Sequence, residues 1–139
     1  MNEKYLEKAV CNSGLVTAVE GGSWNVLMLN FLPHIAPNTL DNMHKHTETK
    51  ETFVLLKGKA MLFVADGDDL PGNAIEGEML EPFVLYTVKT NVWHANVMSE
   101  DAQILLVENA DTVVENTPRV KLTEAQLARV RELAKPCFD

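Results

Sequence analysis

Positive charge is scarce in this chain. Twelve lysines and arginines stand against twenty aspartates and glutamates, a formal net charge of -8. Nucleic acids and anionic membranes both need a basic footprint, so neither is expected as a partner. Cysteine is also scarce. Cys11 and Cys137 lie near opposite ends of the 139 residues with no framework spacing, so they read as free thiols in a reducing compartment. No apolar run approaches the ~20 residues of a membrane span. The opening residues, Met1-Asn2-Glu3-Lys4-Tyr5, lack the basic-then-apolar order of an export signal. The expected location is cytoplasmic. Serine nucleophiles are unsupported too. Ser13, Ser23 and Ser99 fall in turn-like stretches without a strand–turn–helix elbow. Gly21-Gly22-Ser23 leads into a strand, so nothing cradles phosphate at a helix start.

What remains is a globular composition, 46% apolar, at the length of one ordinary domain spanning residues 1–139. Residues 2–10 read as a short helix or an extended arm. Trp24 to Phe31 reads as a buried strand, with Trp24, Met28, Phe31 and Phe53 as core or lining residues. Pro33 and Pro37 then break regularity, and strands resume near Asn42. Glu51–Leu56 and Ala60–Ala65 are expected to pair as a hairpin around Lys57-Gly58-Lys59. A polar loop over residues 66–77 precedes further short β-rich segments at 78–80, 83–88, 94–98 and 103–108. Short strands at this spacing suggest a sandwich or barrel, with its core over about residues 15–110. Thr123-Glu124-Ala125-Gln126 is a capping-box pattern. It opens an amphipathic helix expected over 124–134, with Pro136 as its stop.

The chemistry concentrates in His44-Lys45-His46, with Glu51 and Gly58 following, and His94 far downstream in Asn91-Val92-Trp93-His94. Alternate strand residues share a face, so His44 and His46 can aim into one cavity. By the same rule Phe53 and Leu55 should share the inward face of Glu51, and Trp93 should point away from His94. Three imidazoles and one carboxylate suit a first-row divalent metal, and ligand type alone does not choose among zinc, manganese, nickel and iron. Asp66-Gly67-Asp68-Asp69 is only a weak calcium-loop match, because Pro71 and Gly77 stand where glycine and a bidentate glutamate belong. His34, flanked by Pro33 and Ile35, reads as a loop histidine. Tyr86, Lys89 and Glu81 are candidate acid–base groups by sequence proximity alone.

The run from His44 to Glu51, with Gly58 seven residues on, resembles the first motif of the cupin superfamily, and Val92-Trp93-His94-Ala95 resembles the histidine-bearing part of the second. The resemblance covers residues 40–108 or so. It implies an all-β jelly-roll barrel, here with a C-terminal α-helix, and a divalent metal held by His44, His46, Glu51 and His94. This sequence departs from the second motif at Lys89, which stands for proline, at Asn91, which stands for glycine, and at Met98, which stands for asparagine with Asn96 close by. Asparagine tolerates positive φ, so the turn before His94 is expected to persist. The implied function is a small metal-binding cupin acting on a small organic acid or sugar-like metabolite, as a lyase, isomerase or dioxygenase. The alternatives are a non-catalytic ligand-binding barrel and a structural dimer with a vestigial site. Exposed sheet edges make a homodimer the expected assembly, with the Trp24–Phe31 strand and the face around Trp93 as contact surfaces.

Overall fold

Two five-stranded antiparallel sheets face each other in a computed structural model that describes residues 4–138. The first sheet contains β1 (Leu15–Glu20), β2 (Trp24–Asn30), β9 (Gln103–Asn109), β4 (Glu51–Lys57) and β7 (Leu85–Val88), in that spatial order. The second contains β10 (Arg119–Lys121), β3 (Asn42–His44), β8 (Trp93–Met98), β5 (Ala60–Ala65) and β6 (Ile75–Met79). Helix α1 (Glu124–Phe138) closes the chain. This is the jelly-roll barrel with a C-terminal helix. No helix among the described residues is long and apolar enough to cross a membrane.

Period-two alternation decides what the barrel encloses. Glu51, Phe53 and Leu55 on β4 point inward, as do Leu27 and Leu29 on β2 and Ile104 and Leu106 on β9. Removing the aliphatic and aromatic side chains among them from water stabilises the fold by about 1.5–3 kcal/mol each. On the opposite face of the second sheet, Met43, Phe63, Trp93, Ala95 and Val97 form a separate core with Leu122, Val130 and Ala134. Helix α1 is the cover of that outer face. The Thr123 hydroxyl accepts from the Gln126 N–H at 3.2 Å, and Gln126 Oε1 accepts from the Thr123 N–H at 2.9 Å, which is the expected capping box.

The first sheet has no such cover. Its outer face carries two cross-strand rows, read from the register. One runs Val16, Met28, Leu105, Val54, Leu85. The other runs Val19, Val26, Val107, Thr52, Thr87.

Several expectations need correction. β4 and β5 are not a hairpin, because they belong to different sheets. Both strands bury core side chains, and the turn between them carries the chain from one sheet to the other. Gly58 makes that crossing with φ +76°, where a Cβ would lie 2.5 Å from the Ala102 Cα. The hairpin is instead β5–β6, closed by residues 66–74. Helix α1 runs through Pro136 to Phe138. Proline lacks one N–H, but Leu133, Cys137 and Phe138 still pack on the outer core, and that burial carries the last turn. Trp24 is 46% exposed and Met28 only half-buried, since Leu27 and Leu29 hold the inward positions of β2. Trp93 does face away from His94, but it is wholly buried under α1 and the Asp68 loop, so it offers no contact surface. Residues 6–12 have no regular structure; residues 2 and 3 of the expected helix or arm lie outside the described residues. Strands β1 and β10 were not expected.

Candidate metal centre

His44 ends β3 and pairs in register with His94 on β8, so their rings meet side by side inside the barrel, with centroids 4.4 Å apart. His46 lies two residues past His44 but beyond the strand, where strand alternation no longer dictates its direction. Backbone bonds place it. The His46 carbonyl accepts from Asn91, and the neighbouring Lys45 and Thr47 N–H groups donate to Pro118 and Asn116. Its ring centroid stands 5.1 Å from that of His44 and 5.3 Å from that of His94. Glu51 opens β4 in the opposing sheet and points across the barrel at all three. One donor atom from each of the four residues lies within 4.8 Å of the others.

Hydrogen bonds set the ring orientations. His94 Nδ1 lies 2.8 Å from the Val92 carbonyl oxygen. A carbonyl only accepts, so Nδ1 carries the hydrogen and Nε2 presents a lone pair. That lone pair faces Glu51 Oε1 at 3.0 Å. His46 Nε2 faces the same oxygen at 3.3 Å, while its Nδ1 lies 3.0 Å from Thr117 Oγ1. An imidazole lone pair and a carboxylate oxygen repel at this range, and a shared cation, either a proton or a metal ion, relieves the conflict. The buried donor set therefore fits a divalent transition metal.

The electrostatics agree with the geometry. Burial, and next the neighbouring His94, push His44 down to about 3, so its imidazole is neutral and ready to ligate. Burial alone would raise Glu51, but the His46 and His94 nitrogens at its Oε1, whenever either carries a proton, outweigh it and hold the carboxyl well below the usual range. Glu108 is pushed up to about 8 by burial and then by its hydrogen bond to Glu51. Glu51 thus keeps the charge and Glu108 the proton.

Glu108 was not anticipated, although the signal was there. Ile104, Leu106 and Glu108 alternate inward along β9, and β9 lies beside β4. The side chains expected to move protons are elsewhere. The Tyr86 hydroxyl accepts from the Glu81 N–H at 2.9 Å, and Lys89 is exposed. His34, read as a loop residue, sits in a one-turn 3-10 helix (Pro33–Ile35) and lines a cavity of about 130 Å³ that reaches His44. Its lining combines aliphatic Leu15, Leu29 and Leu40 with polar His44, Asn96 and Arg119. Arg119 enters through β10, where it pairs with His44, and its Nη1 donates to Asn42 Oδ1 at 2.6 Å. The buried Asn96 Nδ2 has no hydrogen-bond partner among the described residues.

Jelly-roll architecture with three histidines and a glutamate converging inside the barrel defines the class: this is a cupin. Within that class the chain belongs to the auxin-binding protein family, whose model, described as "Auxin binding protein", matches residues 2–119. No curated protein matches the chain by sequence. Among solved structures it is similar to Pac13, described as a nucleoside dehydratase, at 13% identity and a TM-score of 0.56, covering 82% of this chain and 84% of that one. A single-substitution variant of Streptomyces Pac13 has also been solved with uridine. A cupin-2 domain protein from Shewanella frigidimarina gives 15% identity and a TM-score of 0.52 over 70% of this chain and 81% of that one. Oxalate decarboxylase from Bacillus subtilis gives 14% and 0.51 over 70% of this chain but 24% of that one. At these identities the likeness is one of fold.

Proposed function

We propose that this protein binds one divalent transition metal through His44, His46, Glu51 and His94, and presents it to a small organic acid held in the adjoining cavity. The observation that carries the reading is the convergence of the four donor atoms within 4.8 Å, buried and next to that cavity. When bound, such a metal supplies Lewis acidity to an oxygen of the ligand. The chain's own residues supply the rest. Thr117 and the Val92 carbonyl hold two of the imidazoles in place. Arg119 is the permanently charged side chain of the cavity lining and favours an anion. The aliphatic part of the lining favours a ligand with an apolar body, and Asn96 offers an unused amide to a second polar atom of it.

Size narrows the class. The cavity measures about 130 Å³, near the ~150 Å³ of an engineered cavity that takes up benzene. A single ring or a short branched chain bearing a carboxylate fits; a whole nucleoside is too large. The family name agrees with a small-acid reading, whereas the uridine of Pac13 does not transfer. Between turnover and simple binding, one observation favours binding: Tyr86, Lys89 and Glu81 are not among the residues that line the cavity. The working assembly in this reading is a homodimer.

Titration of a panel of small carboxylates into zinc- or manganese-loaded protein tests the proposal. Saturable heat from a compact aromatic or branched acid, lost after chelation, is the expected result. Uniform silence across the panel with metal bound would remove the ligand half of the reading. Product detection on the same panel separates an enzyme from a binder.

A further inference from the structure

A second, larger groove of about 520 Å³ shares a loop with the cavity beside His44 but no lining residue. Leu32, His34 and Ile35 line the cavity, whereas Phe31, Ala36 and Pro37 of the same loop line the groove. The β8–β9 turn contributes Ser99 and Glu100, and the last turns of α1 contribute Arg131, Lys135 and Phe138. Each wall is held by its own bonds. The Thr39 hydroxyl donates to the Pro33 carbonyl at 2.5 Å and accepts from the Ala36 N–H at 3.1 Å. The Ser99 hydroxyl donates to Asp101 Oδ1 at 2.6 Å and accepts from the Lys59 N–H at 2.9 Å. Lys59 Nζ in turn donates to the Cys137 carbonyl at 3.3 Å, tying that turn to the end of α1. The groove is therefore formed before any ligand arrives.

Its charge runs against that of the chain, which is -8 overall. Arg131 and Lys135 are four residues apart on α1 and so share a helix face. Neither makes a hydrogen bond or ion pair among the described residues. Glu132, between them in sequence, is paired with Arg129 at 3.5 Å. Glu100 is the one carboxylate of the lining and pairs with neither cation. Cations near a helix C-terminus offset the helix dipole, but that role does not require a cavity. These two border one, beside the half-buried rings of Phe31 and Phe138.

We infer that this groove is a second ligand site, separate from the metal centre, which takes a monocarboxylate with a long apolar body, the chemistry of a medium-chain fatty acid. The guanidinium of Arg131 offers a carboxylate two parallel donors, and Lys135 adds a second positive charge. The two phenyl rings and the alkyl stems of both cations pack against the apolar body. Size agrees. The groove has four times the volume of the cavity beside His44, about 520 against about 130 Å³, and falls in the ~300–1,000 Å³ range of small-molecule sites. Charge excludes other occupants. A cationic ligand would meet two like charges, and a neutral one would leave both unanswered. A polyanion would need a basic footprint far larger than two side chains, and Glu100 opposes it. The inference goes beyond the small-acid reading of the barrel and does not depend on a bound metal.

Calorimetric titration of decanoate, kept below its micelle concentration, into the intact protein tests the inference. One saturable site per chain is expected, with the same affinity before and after chelation. Decanol and decyltrimethylammonium, which keep the chain and change the head, should bind at least about tenfold more weakly. Arg131 and Lys135 are exposed, so replacing both (Arg131→Glu with Lys135→Glu) spares the core. That double variant should keep its circular dichroism and lose about tenfold or more in affinity for decanoate. Lys8→Glu with Lys121→Glu changes the net charge equally, and neither residue lines the groove; it should bind decanoate as the parent does. His94→Ala and Arg119→Gln should also leave decanoate binding unchanged. No saturable binding, equal binding of decanol, or equal losses in the two double variants would overturn the site. So would a loss on Arg119→Gln with the helix variant unaffected, since that places the acid beside His44. Decanoate bound through the helix cations while small carboxylates stay silent would leave this site standing and remove the ligand reading of the barrel.

Discussion

The backbone N–H of Asn91 donates to the carbonyl of His46 at 2.8 Å, joining the turn before β8 to the loop after β3. That bond ties together the two segments that carry three of the four candidate ligands. It depends on Asn91 holding φ at 65°, a left-handed conformation that glycine and asparagine accept and β-branched residues resist.

Asn91→Gly should therefore be nearly neutral. Asn91→Val should cost about 1–3 kcal/mol and weaken metal retention, because the strain is relieved by moving the turn that positions His94. Denaturant melts and metal content on the same samples check both. Equal behaviour of the two variants would show that the turn does not set the site.

The crossing at Gly58 should be less forgiving. Alanine there needs a left-handed backbone and meets Ala102 with Cα at 2.5 Å and Cβ at 2.8 Å. Gly58→Ala should cost roughly 2–4 kcal/mol in a urea melt. A loss under about 0.5 kcal/mol would mean that the turn relaxes freely.

In the metal-free protein, pH acts through opposed groups. His44 titrates near 3 when folded against 6.5 when unfolded. Its contribution to stability is complete above about 6.5 and is lost as pH falls through that window. Glu108 titrates near 8 when folded against 4.5 when unfolded. Its contribution is present below about 4.5 and is lost as pH rises toward 8. Glu51, held low, adds to the loss on acidification below 4.5. The melting temperature of metal-free protein should plateau between about pH 4.5 and 6.5 and decline on both sides. A steady rise from pH 5 to 8 or so would contradict the placement of Glu108.

Arg119 separates the ligand from the metal. Arg119→Gln removes the cation of the cavity and leaves all four donors in place. It should weaken binding of a small carboxylate by about tenfold with metal content unchanged. Loss of the metal would instead make Arg119 a structural support of β3, which it pairs at His44.

The four converging residues and the barrel were legible because strand alternation and ligand chemistry are local signals. Glu51, Phe53 and Leu55 do share an inward face, and His94 and Trp93 do point opposite ways. What escaped was the pairing between segments distant in sequence. A Lys-Gly-Lys turn looks the same whether it closes a hairpin or passes between sheets, so β4–β5 was misread. Three-residue β10 has too few positions to show a period, yet it brings Arg119 beside His44. Glu108 stayed hidden because its meaning comes from a neighbouring strand. Pro136 misled because a stop signal in the sequence says nothing of the apolar surface under Cys137 and Phe138.

Metal analysis of untreated protein beside its His94→Ala variant tests the central claim most directly. His94 is wholly buried and faces Glu51, so removing its ring takes away one donor and unties the carboxylate. Elemental analysis of the parent should find one divalent transition metal per chain, and the folded variant should retain less than about a tenth of it. A metal-free parent that stays empty after incubation with zinc, manganese, nickel and iron, or a variant that keeps its full complement, would contradict the account.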